Sequence, residues 1–151
     1  MHRLYENEDI TVFWDSDKCF HAKRCVTLCP EAFDITKKPW ININNAPASK
    51  VWQAVSNCPS GALGITYNHD VKIIFDKNAC RSVATYEDKQ IGECDYDVTK
   101  DGWVIYHTEV DSNYGGKGIA RRLVYAILEQ ADRQKVNIIP TCSYARKVVE
   151  S

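Results

Sequence analysis

Between Glu109 and Arg122 the chain runs a β-rich segment into Asn113-Tyr114-Gly115-Gly116-Lys117-Gly118 and straight on into a helical periodicity. Apolar residues at Ala120, Leu123, Val124, Ile127, Leu128 and Ala131 keep the i, i+3, i+4, i+7 spacing of an amphipathic helix with one buried face. Gly115, Gly116 and Gly118 let the backbone turn tightly and approach a ligand with no Cβ in the way. The first helical turn has unpaired N–H groups, and the helix dipole concentrates positive charge there. A strand, a glycine loop and a helix N-terminus in that order make a seat for phosphate. Lys117, Arg121 and Arg122 are expected to add mobile positive charge around it. A plain connector is the alternative, because a short glycine pattern alone does not discriminate.

The 151 residues suit one compact domain or two very small ones. Hydrophobic content of 44% and charged content of 26% are those of an ordinary globular protein. A formal net charge of −1 offers no global field toward nucleic acid or an anionic membrane. No apolar run approaches the ~20 residues of a membrane helix. The opening Met1-His2-Arg3-Leu4-Tyr5-Glu6 has no apolar core of the signal-peptide kind, so a cytoplasmic location is expected. In a reducing compartment, seven cysteines point to metal binding or catalysis rather than disulfides.

Four of the cysteines lie in the first half. Ile10–Trp14 reads as a first strand, and Cys19-x5-Cys25-x3-Cys29-Pro30 follows it. The bacterial ferredoxin pattern is C-x2-C-x2-C-x3-C-P, and this run keeps all but the second cysteine, where Ala22 stands. Pro39-Trp40-Ile41 is expected to be extended, and Ser49 to cap a short helix carrying Val51, Trp52 and Val55. That helix delivers Cys58-Pro59, and Ile65–Tyr67 closes as a strand. Thiolates are the ligands of iron–sulfur clusters, and the C-x5-C and C-x3-C spacings fit paired zinc knuckles less well.

On Cys19-x-His21-x3-Cys25, Pro30-Glu31-x-Phe33, Lys38-Pro39-Trp40-Ile41 and Cys58-Pro59-Ser60-Gly61-Ala62-Leu63, the first half resembles the divergent single-cluster 4Fe-4S family. The resemblance covers about residues 8–68. It implies an iron–sulfur cluster with Cys19, Cys25 and Cys58 as ligands. Cys29 is the preferred fourth ligand of a 4Fe-4S cluster; His21, or a 3Fe-4S cluster on three cysteines, are the alternatives.

Near Asn68-His69-Asp70 the character changes. Val71–Phe75, Arg81–Tyr86, Ile91–Tyr96 and Trp103–Val110 read as an antiparallel meander, with turns at 76–79, 87–90 and 100–102. The loop and helix follow, then a strand at Asn137–Cys142 and a short helix at Tyr144–Val149. The expected fold class is α+β in two small domains, 1–68 and 69–151.

On His107-Thr108-Glu109-Val110, Tyr114-Gly115-Gly116-Lys117-Gly118-Ile119-Ala120 and Pro140-Thr141-Cys142-Ser143-Tyr144-x3-Lys147, the second half resembles the smallest GNAT N-acetyltransferases. The superfamily loop Q/R-x-x-G-x-G/A is met at Gly116-Lys117-Gly118, with Asn113 at the Gln/Arg place. The resemblance implies a minimal GNAT domain that binds acetyl-CoA through Val110, Tyr114, Gly115, Gly116, Lys117, Gly118, Ile119, Ala120 and Arg121. It places Cys142 as candidate nucleophile and His107 as candidate base near the cofactor, with Tyr144 orienting the thioester or donating a proton. Cys80 and Cys94 are expected to be structural strand residues.

Together the halves read as an acetyl-CoA-dependent N-acetyltransferase fused to an iron–sulfur domain that senses redox state. Its partners would be a small-molecule or protein amine and a redox partner, with no nucleic acid and no membrane. The alternative is an electron-transfer or cluster-carrying protein whose GNAT-like half only binds CoA.

Overall fold

The β-rich run of the first half becomes the central strand of a three-stranded antiparallel sheet. The structure is a computed structural model that describes residues 2–16, 28–34, 36, 39–57 and 62–150. Contacts divide the chain into two units, Met1–Tyr67 and Asn68–Ser151. In the first unit, β1 (His2–Glu6), β2 (Ile10–Asp15) and β3 (Leu63–Tyr67) stand in the order β1-β2-β3. Helix α1 (Ala48–Ser56) contacts β3. Its apolar Val51, Ala54 and Val55 meet Ile10 and Val12 in a core completed by Phe33, Ile41 and Leu63. Trp40 stands edge-on to Trp14 at 5.2 Å and tilted against Phe33 at 5.9 Å.

Two expectations change here. The capping residue of α1 is Pro47, in extended backbone, and Ser49 lies inside the helix. Proline loses nothing at a helix start, where its missing N–H has no partner in any case. Strand β1 was not expected from sequence; its residues are only half-buried, so no clean alternation marks it.

The second unit is a five-stranded sheet in the order β4 (Lys72–Asp76), β5 (Arg81–Tyr86), β6 (Lys89–Thr99), β7 (Gly102–Val110) and β8 (Ile138–Pro140). The first four form the antiparallel meander; β8 joins β7 in parallel. Helix α2 (Ile119–Arg133) crosses from β7 to β8, and α3 (Ser143–Glu150) follows β8. The predicted stripe of α2 is the buried one: Leu123, Val124, Ile127, Leu128 and Ala131 are all within 1% of full burial. Ser82 on β5 donates its hydroxyl to the Leu123 carbonyl at 2.7 Å and pins helix to sheet. Phe75, Tyr96 and Trp103 stack on the same face.

The turn between β5 and β6 is shorter than expected, with Glu87 and Asp88 both at positive φ and Lys89 already in the strand. Cys80 is not in a strand: it sits at φ 54° before β5, its thiol 3.7 Å from the Lys77 carbonyl. Arg122 does not stand near the loop as mobile charge. It is 1% exposed, and its guanidinium donates to the carbonyls of Val71 at 3.0 Å and Asn68 at 3.4 Å. The period puts Arg122 on the side of α2 away from the Leu123–Ala131 stripe, and it is the segment before β4, with the Asn68 and Val71 carbonyls, that covers it there.

Candidate functional site

Parallel pairing of β7 with β8 stops after Ile105↔Pro140. Its end is sealed by the Ile105 carbonyl, which accepts from Thr141 N–H at 2.9 Å, Cys142 N–H at 3.2 Å and the Thr141 hydroxyl at 3.1 Å. In the same place β7 carries an extra residue: Tyr96 registers with Ile105, and Asp95 with His107, so Tyr106 bulges between them. A bulge breaks the ladder and re-aims the following side chains. Beyond Ile105, the β8-side edge of β7 has no strand partner among the described strands. The result is an opening next to the bulge, with the glycine loop after β7.

The bulge decides which face each residue takes. Side chains alternate along a strand, and one extra residue reverses the parity. Thr108 therefore joins Cys94 and Ser82 on the α2 face, its hydroxyl 3.4 Å from Cys94 Sγ and 3.5 Å from Cys142 Sγ. Cys142 immediately precedes α3, and its sulfur accepts from the Ala145 N–H at 3.3 Å, as a capping group does at a helix start. Tyr144 lies in the first turn of α3; burial pushes its phenol up, against the pull of the Arg121 guanidinium, so it stays a proton donor.

His107 takes the opposite face. Its Nε2 is 3.4 Å from Glu109 Oε2, and it gathers with Glu93 and Asp95, ligand atoms within 4.8 Å of one another. A hydrogen bond that protonated Glu93 can donate to Asp95, then burial, pushes Glu93 up, while Arg81 and His107 act the other way. Arg81 faces both carboxylates, 2.9 Å from Asp95 and 3.4 Å from Glu93, and already supplies the compensating cation that a metal would bring. Sequence reasoning set His107 and Cys142 together; in the fold the partner of Cys142 is Thr108 instead. No local signal in the sequence marks Thr108, Glu93 or Asp95 as site residues.

At the end of β6 and β7 a polar cleft of about 500 Å³ is lined by Gln90, Glu93, Glu109, Val110 and Asp111 among others. It adjoins the loop. Asp111 accepts the Asn113 N–H at 3.0 Å and starts a single 3₁₀ turn, Ser112–Tyr114, whose tyrosine ring leans on Tyr86 at 5.8 Å. Gly116 and Gly118 have φ of 75° and 73°, the left-handed region where glycine carries no Cβ penalty. A Cβ at Gly116 would meet nothing within 4 Å, so backbone there is open to a ligand. Gly118 precedes α2, and the N–H groups of Ile119 and Ala120 have no intrahelical acceptor. Arg121 rests over the Tyr125 ring at 5.5 Å. This cradle of N–H groups beside Lys117 and Arg121 fits a pyrophosphate.

In the first unit, Cys19, Cys25, Cys58 and His21 lie outside the described residues. Among the described residues, Asp15 N–H donates to the Ala62 carbonyl at 2.8 Å, and Trp14 registers with Leu63. The buried Trp14 Nε1 has no acceptor among the described residues. Soft thiols fit a sulfide-bearing cluster. Cys29 is described, and its environment is apolar. It is fully buried with Ile10, Val12, Val51 and Val55, and its thiol is 3.6 Å from Glu31, which pairs with Lys50 at 2.7 Å. Burial pushes this thiol up, opposed by the Ala32 N–H. No helix among the described residues is long and apolar enough to cross a membrane.

Comparison with known proteins matches residues 5–68 to a family described as divergent 4Fe-4S mono-cluster. Residues 81–151 match GCN5-related N-acetyl-transferase. The Escherichia coli K12 protein YjdI is 34% identical over 68 residues, 45% of this chain and 87% of its own length. Among solved structures, a GCN5-like protein of Staphylococcus aureus is 26% identical over 54% of this chain and 80% of its own, with a TM-score of 0.43. The ribosomal-protein-alanine N-acetyltransferase of Brucella melitensis biovar Abortus is 18% identical over 46% of this chain and 59% of its own, with a TM-score of 0.38.

Proposed function

We propose that this chain, which belongs to the divergent 4Fe-4S mono-cluster family over residues 5–68 and matches the GCN5-related N-acetyl-transferase family over residues 81–151, is an acetyl-CoA-dependent acyltransferase carrying an iron–sulfur cluster. The observation that carries the acyl-transfer reading is the seating of Cys142: a thiol at a helix start, held by Thr108 and Ala145, beside the unpaired edge of β7. Acetyl-CoA supplies an activated acyl group. The N–H groups at Gly116, Gly118, Ile119 and Ala120 hold its pyrophosphate, with Lys117 and Arg121 as counter-charges and Val110 and Tyr114 flanking. The Cys142 sulfur forms the new thioester bond as the bond to the CoA sulfur breaks; Tyr144 protonates the departing CoA sulfur, and the proton released by Cys142 restores the Tyr144 phenol. An amine then takes the acyl group from sulfur, and the amine proton passes to the Cys142 sulfur as the thioester bond breaks, restoring the thiol.

The test is to incubate the purified full chain with acetyl-CoA and map the product by peptide mass spectrometry. One acetyl group on the Cys142 peptide, lost on adding amine, is the expected result. CoA binding with no adduct and no transfer to any amine would leave a CoA-binding, cluster-carrying protein instead.

The phosphate seat is tested separately by Gly116→Ala. The substitution fits sterically but sets an L side chain at φ 75°, so a stability loss of about 1 kcal/mol is expected in urea unfolding. Its Cβ also projects into the seat, and CoA affinity by calorimetry should fall about tenfold, or ~1.4 kcal/mol.

For the cluster, the ligands are Cys19, Cys25 and Cys58. Cys29, buried among apolar side chains and hydrogen-bonded to Glu31, belongs to the core. Cys29→Ala should therefore keep the iron and sulfide content of the parent protein. Loss of about one iron in four on that substitution would make Cys29 the fourth ligand.

A further inference from the structure

Three groups meet at Thr108. Its hydroxyl oxygen is 3.4 Å from Cys94 Sγ on one side and 3.5 Å from Cys142 Sγ on the other. A hydroxyl has one proton to give and two lone pairs, and each thiol likewise has one proton. Because the hydroxyl has one proton, it can donate to one sulfur while accepting from the other, a chain that runs one way or the other. With Cys142 protonated, it runs from Cys142 through Thr108 to Cys94. Once Cys142 gives up its proton, the filled arrangement is the reverse: Cys94 S–H donates to Thr108 Oγ1, and Thr108 O–H donates to the Cys142 sulfur.

We infer that Thr108 is a positioning residue which, backed by Cys94, turns its hydroxyl onto Cys142 and stabilises that sulfur as a thiolate. The Ala145 N–H is the second donor, so the ionised sulfur would hold two hydrogen bonds in a half-buried place. Cys94 suits its part because it stays a thiol. It is fully buried on β6, and burial pushes it up to about 12 against the pull of the Thr108 hydrogen bond, with the charges of Cys142, Asp95 and Glu93 adding to the burial. The other titratable groups near the chain are Tyr144 on α3 and Arg121 on α2. Glu93, Asp95 and His107 belong to the opposite face of the sheet. Cys94 and Cys142 are separated by β7, so their shared contact is the threonine hydroxyl, not a disulfide geometry.

The functional meaning rests on Cys142 as the acyl-accepting thiol, but the test reads the thiol itself. The full chain, purified without oxygen, is treated with iodoacetamide, and alkylation of the Cys142 peptide is timed by mass spectrometry. Hydrogen bonds to charged groups contribute on the order of 1.5 kcal/mol or more, so Thr108→Val should slow alkylation at neutral pH about tenfold. The deficit should vanish at alkaline pH, where the thiolate forms without help. Thr108→Ser keeps the hydroxyl and should restore the neutral rate. Cys94→Ala removes only the backing donor and should slow alkylation about threefold.

Equal rates for Thr108→Val and the parent at neutral pH, with circular dichroism unchanged, would overturn the inference. A deficit of the same size at every pH would overturn it too, since that is a change of access. Should Thr108→Val fail to fold, Cys94→Ala and Thr108→Ser decide by the same pH comparison. A confirmed relay in a protein that never acetylates Cys142 would retain this inference while removing the acyl-thiol reading.

Discussion

Cys142→Ala is expected to lower acyl transfer by about two to four orders of magnitude while leaving CoA affinity within about twofold. The reason is the division of labour between the start of α2 and the segment after β8. The phosphate seat is made of backbone around Gly116 and Gly118, which the substitution does not touch. The thiol is supplied from the far side of the opening, after β8, where Ala145 and Thr108 hold it. A residue that acts only on the reacting acyl group changes kcat and not ground-state binding. Steady-state transfer to a primary amine and calorimetric titration with CoA measure the two quantities on one preparation. A variant that keeps its rate would move the chemistry to the carboxylate face, with His107 taking the amine proton directly.

The second large effect concerns the cluster. Cys58→Ser, or removal of iron with a chelator, is expected to lower the melting temperature of the first unit by about 10 °C or more. This unit is Met1–Tyr67, below the size at which a hydrophobic core alone is comfortably stable. Its described frame is three strands and one nine-residue helix around a small core. Where binding groups are assembled only on folding, the binding free energy is folding free energy. Melting of apo and holo protein followed by circular dichroism tests this. Coincident curves would mean that the core of Ile10, Val12, Phe33 and Val51 suffices without metal.

Signals carried by neighbours in the chain were legible from sequence. The period of Leu123, Val124, Ile127 and Leu128 announced α2 and its buried face, and glycines at 116 and 118 announced the loop that needs positive φ. The antiparallel meander, its β-α-β-α continuation and the two family resemblances were readable in the same way. These depend on short-range pattern: 3.6-residue periodicity, alternation, turn chemistry and motif spacing. Where the pattern is weak the reading failed. The half-buried β1 shows no alternation, and Arg122, on the side of α2 away from the apolar stripe, is buried only because the distant Asn68–Val71 segment covers it.

What only the tertiary structure decided is which side chains share a face at the opening. Counting by alternation from the buried Trp103 and Ile105 sends His107 toward α2, which is where Cys142 waits. One bulged residue, Tyr106, reverses that count. It turns His107 to Glu93 and Asp95, and Thr108 to Cys94 and Cys142. The three residues of that contact are 14 and 34 positions apart from Thr108, on β6, on β7 and after β8. The chain by itself determined its elements, because those obey local periodicity and backbone sterics. The pairing register and its one irregularity determined the site, because they exist only between strands.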